Sequence, residues 1–225
     1  IENEAIQSLV KMFGYRKDAV GHFTSGGTVA NFESVVRAKR KWILNLQSHI
    51  DSKKNFNEAS YVRSQTSSQE HAKISELSDI HLARWIEKQF NREFNGAVMF
   101  VPASKHYSWT KAAKYFGFGV EGLRQIPLNK WGQIDTKLLK SAIETCLQEQ
   151  IPIVSVNSIC GSTEFGTIDP IHETQEILDY YKKEYGYQFW HHVDAAYGGF
   201  FATIKALNDK EIGENTKLAL TALAH

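Results

Sequence analysis

HHVDAAYGG, residues 191–199, is the stretch that decides how this chain folds. The residues before it, 187–190 (YQFW), are apolar and aromatic and predict a short buried strand. Asp194 then follows the carboxyl end of that strand, which is where open α/β sheets bind their ligands. The alanines and glycines that come next leave room for a flat molecule. We therefore expect Asp194 to offer a fixed negative charge to a cationic group of that molecule.

Two other interpretations of Asp194 stay open. The carboxylate could cap the following turn, which is a common structural role of aspartate. His192 and Asp194 also alternate onto one face of a strand, as two metal ligands would. No third ligand accompanies them at a familiar spacing, so the sequence predicts no metal site.

The composition limits the class of protein. The 225 residues are 42% hydrophobic and 23% charged, as in soluble globular proteins, and the net charge of +1 does not favour nucleic acid or an anionic membrane as a partner. No apolar run is long enough to span a bilayer. Cys146 and Cys160 form no metal or redox motif, which favours a reducing compartment. We expect a cytoplasmic protein.

Strands alternate with helices in the second half of the chain. Apolar runs at 97–101, 123–128 and 151–159 predict strands, and the last of these is apolar enough to be central in a parallel sheet. Asp135 is placed to cap a helix, and another helix opens after Asp169. This alternation predicts an α/β fold with a mostly parallel sheet flanked by helices.

The first half of the chain is mainly helical in pattern. Residues 1–13 and 79–90 have helical spacing, with Ile80, Ala83 and Ile86 on the buried face of the second segment. Residues 48–78 are polar and predict an insertion on the surface. A last helical pattern covers residues 213–224.

A glycine-rich turn opens a long helical pattern after residue 21. Gly26, Gly27 and Thr28 would expose backbone N–H groups at the positive end of the helix dipole, and both features favour a phosphate. No Gly-Lys-Ser/Thr ending follows, so a nucleoside triphosphate loop is not indicated. An ordinary helix cap without a ligand remains open.

Two further loops carry polar side chains. His106 lies at a strand-to-helix junction, where a capping or surface role is the simpler interpretation. Ser162 and Thr163 offer hydroxyl groups after the strand at 151–159. If the strands are parallel, these loops, the glycine-rich turn and Asp194 can meet at one edge of the sheet. A flat, phosphorylated ring with a basic nitrogen would satisfy all of them, and pyridoxal 5'-phosphate has that description.

Four stretches carry a resemblance to a known family. They are FTSGGTVAN (23–31), KHYSWTKAA (105–113), GSTEFG (161–166) and HVDAAYGG (192–199). The chain resembles the large domain of pyridoxal-phosphate-dependent group II amino-acid decarboxylases, most of all the bacterial tyrosine decarboxylases. The resemblance implies the fold type I architecture of the aspartate aminotransferases.

The resemblance also implies roles around the cofactor. Gly27 and Thr28 match residues that hold the cofactor phosphate, with Gly26 beside them. Thr163 matches a residue near the ring hydroxyl, and Ala196 matches the small residue against one face of the ring.

Two positions match catalytic residues of the family. His106 matches the imidazole that stacks on the pyridine ring and borders the substrate carboxylate. Asp194 matches the partner of the ring nitrogen, and His192 matches a group close to that aspartate.

One feature of the family has no counterpart. The Schiff-base lysine of the family follows a histidine in a stretch beyond the aspartate, whereas Lys205, Lys210 and Lys217 do not follow one. We therefore expect residues 1–225 to be a fragment, a partial pyridoxal-phosphate-binding large domain. The expected missing parts are an amino-terminal segment, the Schiff-base lysine region and a small carboxyl-terminal domain.

The resemblance implies the function of the complete protein. It would decarboxylate an L-amino acid, with tyrosine or another aromatic amino acid favoured, and release an amine and carbon dioxide. A homodimer is expected. Three alternatives stay open. The complete protein could be a glutamate decarboxylase, or it could be another pyridoxal-phosphate lyase or an aminotransferase. The chain could also be a non-catalytic segment without the imine-forming lysine.

Overall fold

Four parallel strands form the sheet at the centre of the structure, a computed structural model that describes residues 1–57, 74 and 77–206. The strands are β1 Val98–Pro102, β2 Leu123–Ile126, β3 Ile153–Ile159 and β4 Trp190–Asp194. Their order is β2-β1-β3-β4, and every neighbouring pair is parallel. The predicted parallel α/β architecture is confirmed for this part of the chain.

Helices connect and cover the strands. They are α1 Glu2–Met12, α2 Gly27–Asn57, α3 Asp79–Phe90, α4 Ser108–Tyr115, α5 Thr136–Gln148 and α6 Ile171–Tyr185, and a 3₁₀ helix spans Gly199–Ala206. None of the helices in the described part is both long and apolar enough to cross a bilayer.

The sheet is buried on both faces. One face packs against α5 and α6 through a core that includes Phe100, Ile143 and Leu178. The other face packs against α2 and α4 through a core that includes Met99 and Trp109. Because all seven residues of β3 are buried, this strand is central, as its apolar sequence predicts.

The ends of two helices follow ordinary capping rules, and the cap at Asp135 is the one that the sequence predicts. Asp135 caps α5, because its carboxylate accepts hydrogen bonds from the N–H groups of Lys137 and Leu138 at 3.0 and 3.1 Å. Gly186 ends α6 in the left-handed conformation, at a φ of 74°.

The strand predicted at residues 187–190 is displaced in the structure. Strand β4 begins at Trp190 and runs through both histidines, so that Asp194 is its last residue. Tyr187 is 43% exposed and stacks on Phe189 outside the sheet, with the ring centroids 6.0 Å apart. The aromatic run was therefore mistaken for the strand, because the polar histidines that follow it do not have a strand-like pattern.

One prediction for α3 is wrong. Ile80 is 66% exposed, whereas Leu82 and Ile86 are buried and pack with Ile43 of α2. The buried face of the helix is therefore centred on Leu82 rather than Ile80.

Several predictions fall wholly or partly outside the described residues. Helix α2 continues to Asn57, ten residues into the expected polar insertion at 48–78, and most of the remainder is not described. The helix expected at 213–224 lies outside the described residues, as do Lys210 and Lys217.

Candidate active site

A cavity of about 340 Å³ opens at the carboxyl-terminal edge of the sheet. Its walls come from the first turn of α2 and from the segments that follow β1, β3 and β4. The lining residues are Gly27, Thr28, Asn31, Ser104, His106, Tyr107, Ile159, Gly161, Ser162, Thr163, Asp194, Ala196 and Tyr197.

The structure brings the predicted site residues together. Six of the seven line this cavity, although their segments are up to about 170 residues apart in sequence: Gly27, Thr28, His106, Thr163, Asp194 and Ala196. Gly26 is not in the wall but precedes it, with a φ of 140° that only glycine adopts easily. The topology explains the convergence, because parallel strands end at the same edge.

The first turn of α2 has the features of a phosphate site. The N–H groups of Val29 and Ala30 donate to the Gly26 carbonyl at 3.0 and 3.1 Å. The N–H groups of Gly27 and Thr28 have no acceptor in the part of the chain that the structure describes. Two free donors at the start of a 31-residue helix are suited to bind an anion.

Gly27 also brings the helix close to the loop after β4. A Cβ atom at this position would lie 2.6 Å from the Cβ of Ala196, closer than two carbon atoms can approach. A residue with a side chain would not fit at position 27 without a shift of the first turn of α2 or of Ala196. The start of α2 and the loop after β4 are therefore in close contact in the cavity wall.

Backbone contacts between two loops fix the position of Asp194. The Gly198 N–H donates to the Cys160 carbonyl, and the Cys160 N–H donates to the Asp194 carbonyl, both at 2.9 Å. A Cβ at Gly198 would lie 2.4 Å from the Cys160 oxygen, so the loops after β3 and β4 pack backbone against backbone. The loop that carries Thr163 therefore holds Asp194 in place through these backbone contacts.

The Asp194 carboxylate is 8% exposed and is held by neutral donors. Its Oδ2 accepts hydrogen bonds from Asn31 Nδ2 at 2.7 Å and from Trp109 Nε1 at 3.2 Å. Among the described residues, no cationic side chain forms an ion pair with it. A buried carboxylate without a cation is unfavourable on its own, so this site is suited to a positively charged group of a ligand.

The capping interpretation of Asp194 has one contact in its favour. The Ala196 N–H donates to Asp194 Oδ1 at 3.3 Å. This contact is longer than the one from Asn31, and it uses the other carboxylate oxygen. The aspartate therefore supports the turn weakly while Asn31 and Trp109 hold it beside the cavity.

His192 reaches Asp194 through a third residue. Its Nε2 lies 3.0 Å from Asn31 Oδ1, and the same amide donates to Asp194. Burial lowers the pKa of His192 to about 4, although the nearby Asp194 charge opposes this shift. His192 is thus neutral at physiological pH. Within the described residues, no group of three or more His, Cys, Asp or Glu side chains is placed to hold a metal ion.

His106 lies at the opposite wall, between β1 and α4. Its Nδ1 is 2.9 Å from Ser108 Oγ and also accepts the Ser108 N–H at 3.3 Å. The second contact serves an N–H of the first turn of α4, although Tyr107 and not His106 is the N-cap residue. His106 also lines the cavity, where it is available to a ligand. Tyr107 packs beside the imidazole, with ring centroids 4.0 Å apart.

The two hydroxyl residues after β3 have different roles. Ser162 is 1% exposed, and its Oγ pairs with Thr167 Oγ1 at 2.8 Å, so it closes its own loop. Thr163 is exposed at the cavity wall. Of the two donors that the sequence suggested, Thr163 is the one available to a ligand.

Sequence reasoning did not identify Asn31, Ser108 or Trp109. All three are buried and contact Asp194 or His106 directly or through one another. The one signal available was their position inside the motif stretches 23–31 and 105–113, which carry the family resemblance.

The chain is similar to one known family of enzymes. The model of one family, described as the pyridoxal-dependent decarboxylase conserved domain, matches residues 84–213. This match covers β1 to β4 and therefore includes His106, Thr163, Asp194 and Ala196.

Curated relatives match a shorter part of the chain. The L-tyrosine decarboxylase of Levilactobacillus brevis is 40% identical over 100 residues, and that of Enterococcus faecalis (strain ATCC 700802 / V583) is 38% identical over 100 residues. Each alignment covers 44% of this chain and 16% of the relative. The chain thus spans only a small part of these proteins.

Solved structures share the fold. The glutamate decarboxylase domain of diaminobutyrate-pyruvate transaminase and L-2,4-diaminobutyrate decarboxylase from Vibrio parahaemolyticus aligns with a TM-score of 0.60 at 22% identity, over 89% of this chain and 35% of that one. Mouse CSAD aligns with a TM-score of 0.56 at 21% identity, over 88% of this chain and 32% of that one. These matches confirm the fold type I architecture expected from the sequence.

Proposed function

Because the chain belongs to the pyridoxal-dependent decarboxylase family, whose model covers more than half of it, we propose that the complete protein decarboxylates an L-amino acid. Pyridoxal phosphate is the cofactor of this family, and the described residues fit it. The observation that carries the proposal is the buried Asp194 carboxylate, which is in the cavity wall and has only neutral partners.

Each wall of the cavity matches one part of the cofactor. The free N–H groups of Gly27 and Thr28 would bind the phosphate. Ala196 and His106 would lie against the ring, and Thr163 would contact its hydroxyl group. These assignments combine the family resemblance with the position of each residue in the cavity wall.

Asp194 would hold a proton on the ring nitrogen. An opposite charge within a few ångströms raises the pKa of such a nitrogen, typically by about one to three units. When bound, the cofactor supplies a ring that accepts the electron pair left by departing carbon dioxide. A protonated ring nitrogen makes that ring a better acceptor, so the carboxylate contributes to the rate.

We propose an aromatic substrate, with L-tyrosine first. The relatives named L-tyrosine decarboxylase and the sequence around His106 support this choice. Tyr107 and Tyr197 also line the cavity and are 61% and 62% exposed, so aromatic surface is available to a substrate. We further propose a cytoplasmic homodimer with residues 1–225 in its cofactor-binding large domain.

A product survey of the complete protein tests this proposal. The holoenzyme is incubated separately with tyrosine, phenylalanine, tryptophan and glutamate, and the amines are quantified. We expect tyramine from tyrosine as the main product. The control is the same protein stripped of cofactor, in which activity should return when pyridoxal phosphate is added. Formation of 4-aminobutyrate from glutamate without tyramine from tyrosine would reject the aromatic assignment.

A further inference from the structure

We propose that Asn31 is a positioning residue that orients two site groups at once, Asp194 directly and His106 through the Ser108 hydroxyl. The inference deepens the proposed function and rests on it for its effect on rate. Asn31 is 2% exposed and lies in the second turn of α2, between the two walls of the cavity.

The direction of each hydrogen bond follows from the chemistry of the Asn31 amide. Its Nδ2 contacts Asp194 Oδ2 at 2.7 Å and Ser108 Oγ at 3.1 Å. The reverse orientation would place Oδ1 against a carboxylate oxygen, which is repulsive, so Nδ2 is on this side. Both of its protons are then used, one by each partner.

The other end of the amide agrees with this orientation. Asn31 Oδ1 can only accept, so His192 Nε2, at 3.0 Å, must carry the proton. His192 is half-buried and neutral, and its ring is held from the side by Trp109, with centroids 5.4 Å apart. The amide thus has a fixed donor on one side and two fixed acceptors on the other.

This arrangement determines where the proton of neutral His106 lies. Since Ser108 Oγ accepts from Asn31, its own proton is free to point to His106 Nδ1, which is 2.9 Å away. The Ser108 N–H also points at Nδ1, at 3.3 Å. With two donors at Nδ1, the ring proton must be on Nε2. His106 would therefore present an N–H donor to a bound molecule.

The test uses the complete holoenzyme with ¹⁵N-labelled histidine. The ¹⁵N shifts of the His106 ring, assigned by their loss in His106→Gln, report which nitrogen carries the proton. In the wild-type protein we expect Nδ1 without a proton and Nε2 with one. Ser108→Ala removes the shorter of the two Nδ1 donors and keeps the backbone N–H, so part of the His106 population should carry its proton on Nδ1. We expect kcat to fall about tenfold, with cofactor affinity changed less than twofold.

Asn31→Ala should affect both groups that Asn31 orients, Asp194 and His106. We expect the His106 ring to become mixed in the same way, and cofactor affinity to fall about tenfold because Asp194 loses its shortest donor. Combining Asn31→Ala with Ser108→Ala should lower kcat no further than Asn31→Ala alone, because both act on His106 through one path.

Ser34→Ala is the matched control. Ser34 is one turn further along α2, is 7% exposed, and its Oγ accepts from Trp190 Nε1 at 3.1 Å, with no link to His106 or Asp194. The Ser34→Ala variant should be less stable than the wild type, with the same ¹⁵N shifts of the His106 ring and the same cofactor affinity.

Wild-type ring shifts in both Asn31→Ala and Ser108→Ala would overturn the proposal, as would strictly additive losses of kcat. If Asn31→Ala does not fold, Ser108→Ala alone decides whether the hydroxyl orients His106. A wild-type protein that forms no amine from any amino acid would reject the proposed function, but the ring shifts and cofactor titrations would still decide the role of Asn31.

Discussion

Two aspartates are buried at the site edge of the sheet, and their surroundings differ. Asp169, 4% exposed, accepts from the N–H groups of Ile134 and Ile159, both at 2.7 Å, so backbone donors occupy both of its oxygens. Asp194, 8% exposed, is held mainly by two side chains on one oxygen. Asp169 therefore ties the segments before α5 and α6 to β3, whereas Asp194 is in a cavity wall.

The difference shows what identifies a functional carboxylate. Burial raises the pKa of Asp169, and its two backbone hydrogen bonds oppose the shift without cancelling it. Burial and a perturbed pKa therefore occur at an aspartate outside the cavity. The identity of the donors and the presence of a cavity distinguish the two residues better than burial does.

The largest expected effect is on turnover in Asp194→Asn. The amide keeps the size of the side chain but loses the charge that would hold a proton on the ring nitrogen. We expect turnover per cofactor-loaded molecule to fall on the order of 10²-fold, with a small change in thermal stability. A loss of stability with turnover near wild type would show that Asp194 only caps its turn.

Asp169→Asn should show the opposite behaviour. Its new NH₂ group would face one of the two backbone N–H groups that now donate to the carboxylate, which destabilises the fold by about 2 to 3 kcal/mol. Urea denaturation of the complete protein measures this loss. Turnover per folded, loaded molecule should remain within a few-fold of wild type, and a 10²-fold loss there would remove the contrast between the two aspartates.

Gly27→Ala tests the close contact between Gly27 and Ala196 in the wall of the same cavity. The added Cβ would meet the Cβ of Ala196 at 2.6 Å, so the turn must move away from the position that suits a phosphate. We expect cofactor affinity to fall about tenfold or more, measured by titration of the stripped protein. Gly21→Ala is a control, since Gly21 has no positive φ and a Cβ there meets only the Ile6 Cγ2 atom, at an ordinary contact distance of 3.5 Å. Equal effects of the two changes would contradict the assignment.

The last comparison concerns the two faces of β4 and depends on pH. His191 points away from Asn31 and pairs with Ser158 Oγ and Gln175 Oε1, at 3.0 and 2.8 Å. Burial lowers its pKa to about 4 from an ordinary 6.5. Its contribution to stability is therefore present above pH 6.5 and is lost as pH falls toward 4.

His191→Gln should remove this pH dependence with little effect on the site. The wild-type protein should lose about 2 to 3 kcal/mol more than the variant between pH 7 and pH 4, measured by urea denaturation. Turnover at pH 7 should be similar in both proteins. Identical pH dependence of stability would show that His191 is not held in its neutral form by the fold.

The sequence predicted the sheet and most of the cavity wall because these depend on local patterns. Apolar runs indicated β1 to β3, and polar residues near the ends of strands made His106, Thr163 and Asp194 candidates. The family resemblance then gave these three residues their expected roles. Strand β4 was displaced because its histidines are polar in sequence, yet both are half-buried in the fold, and packing against other elements lowers the pKa of each. No local pattern reports such partners.

Asn31 was missed for the same physical reason. It contacts Asp194, which is 163 residues away in sequence, and Ser108, which is 77 residues away. Asparagine is a weak helix former, and an asparagine within a helix is ordinarily expected on the surface. Only the packing of α2 across the end of β4 shows that this amide joins two walls of the cavity.

The most direct test of the account is the protonation state of the cofactor's ring nitrogen. The complete protein is loaded with pyridoxal phosphate labelled with ¹⁵N in the ring, and the ¹⁵N shift is recorded at neutral pH for wild type and Asp194→Asn. The account predicts a protonated ring nitrogen in wild type and an unprotonated one in the variant. The same shift in both proteins would contradict it.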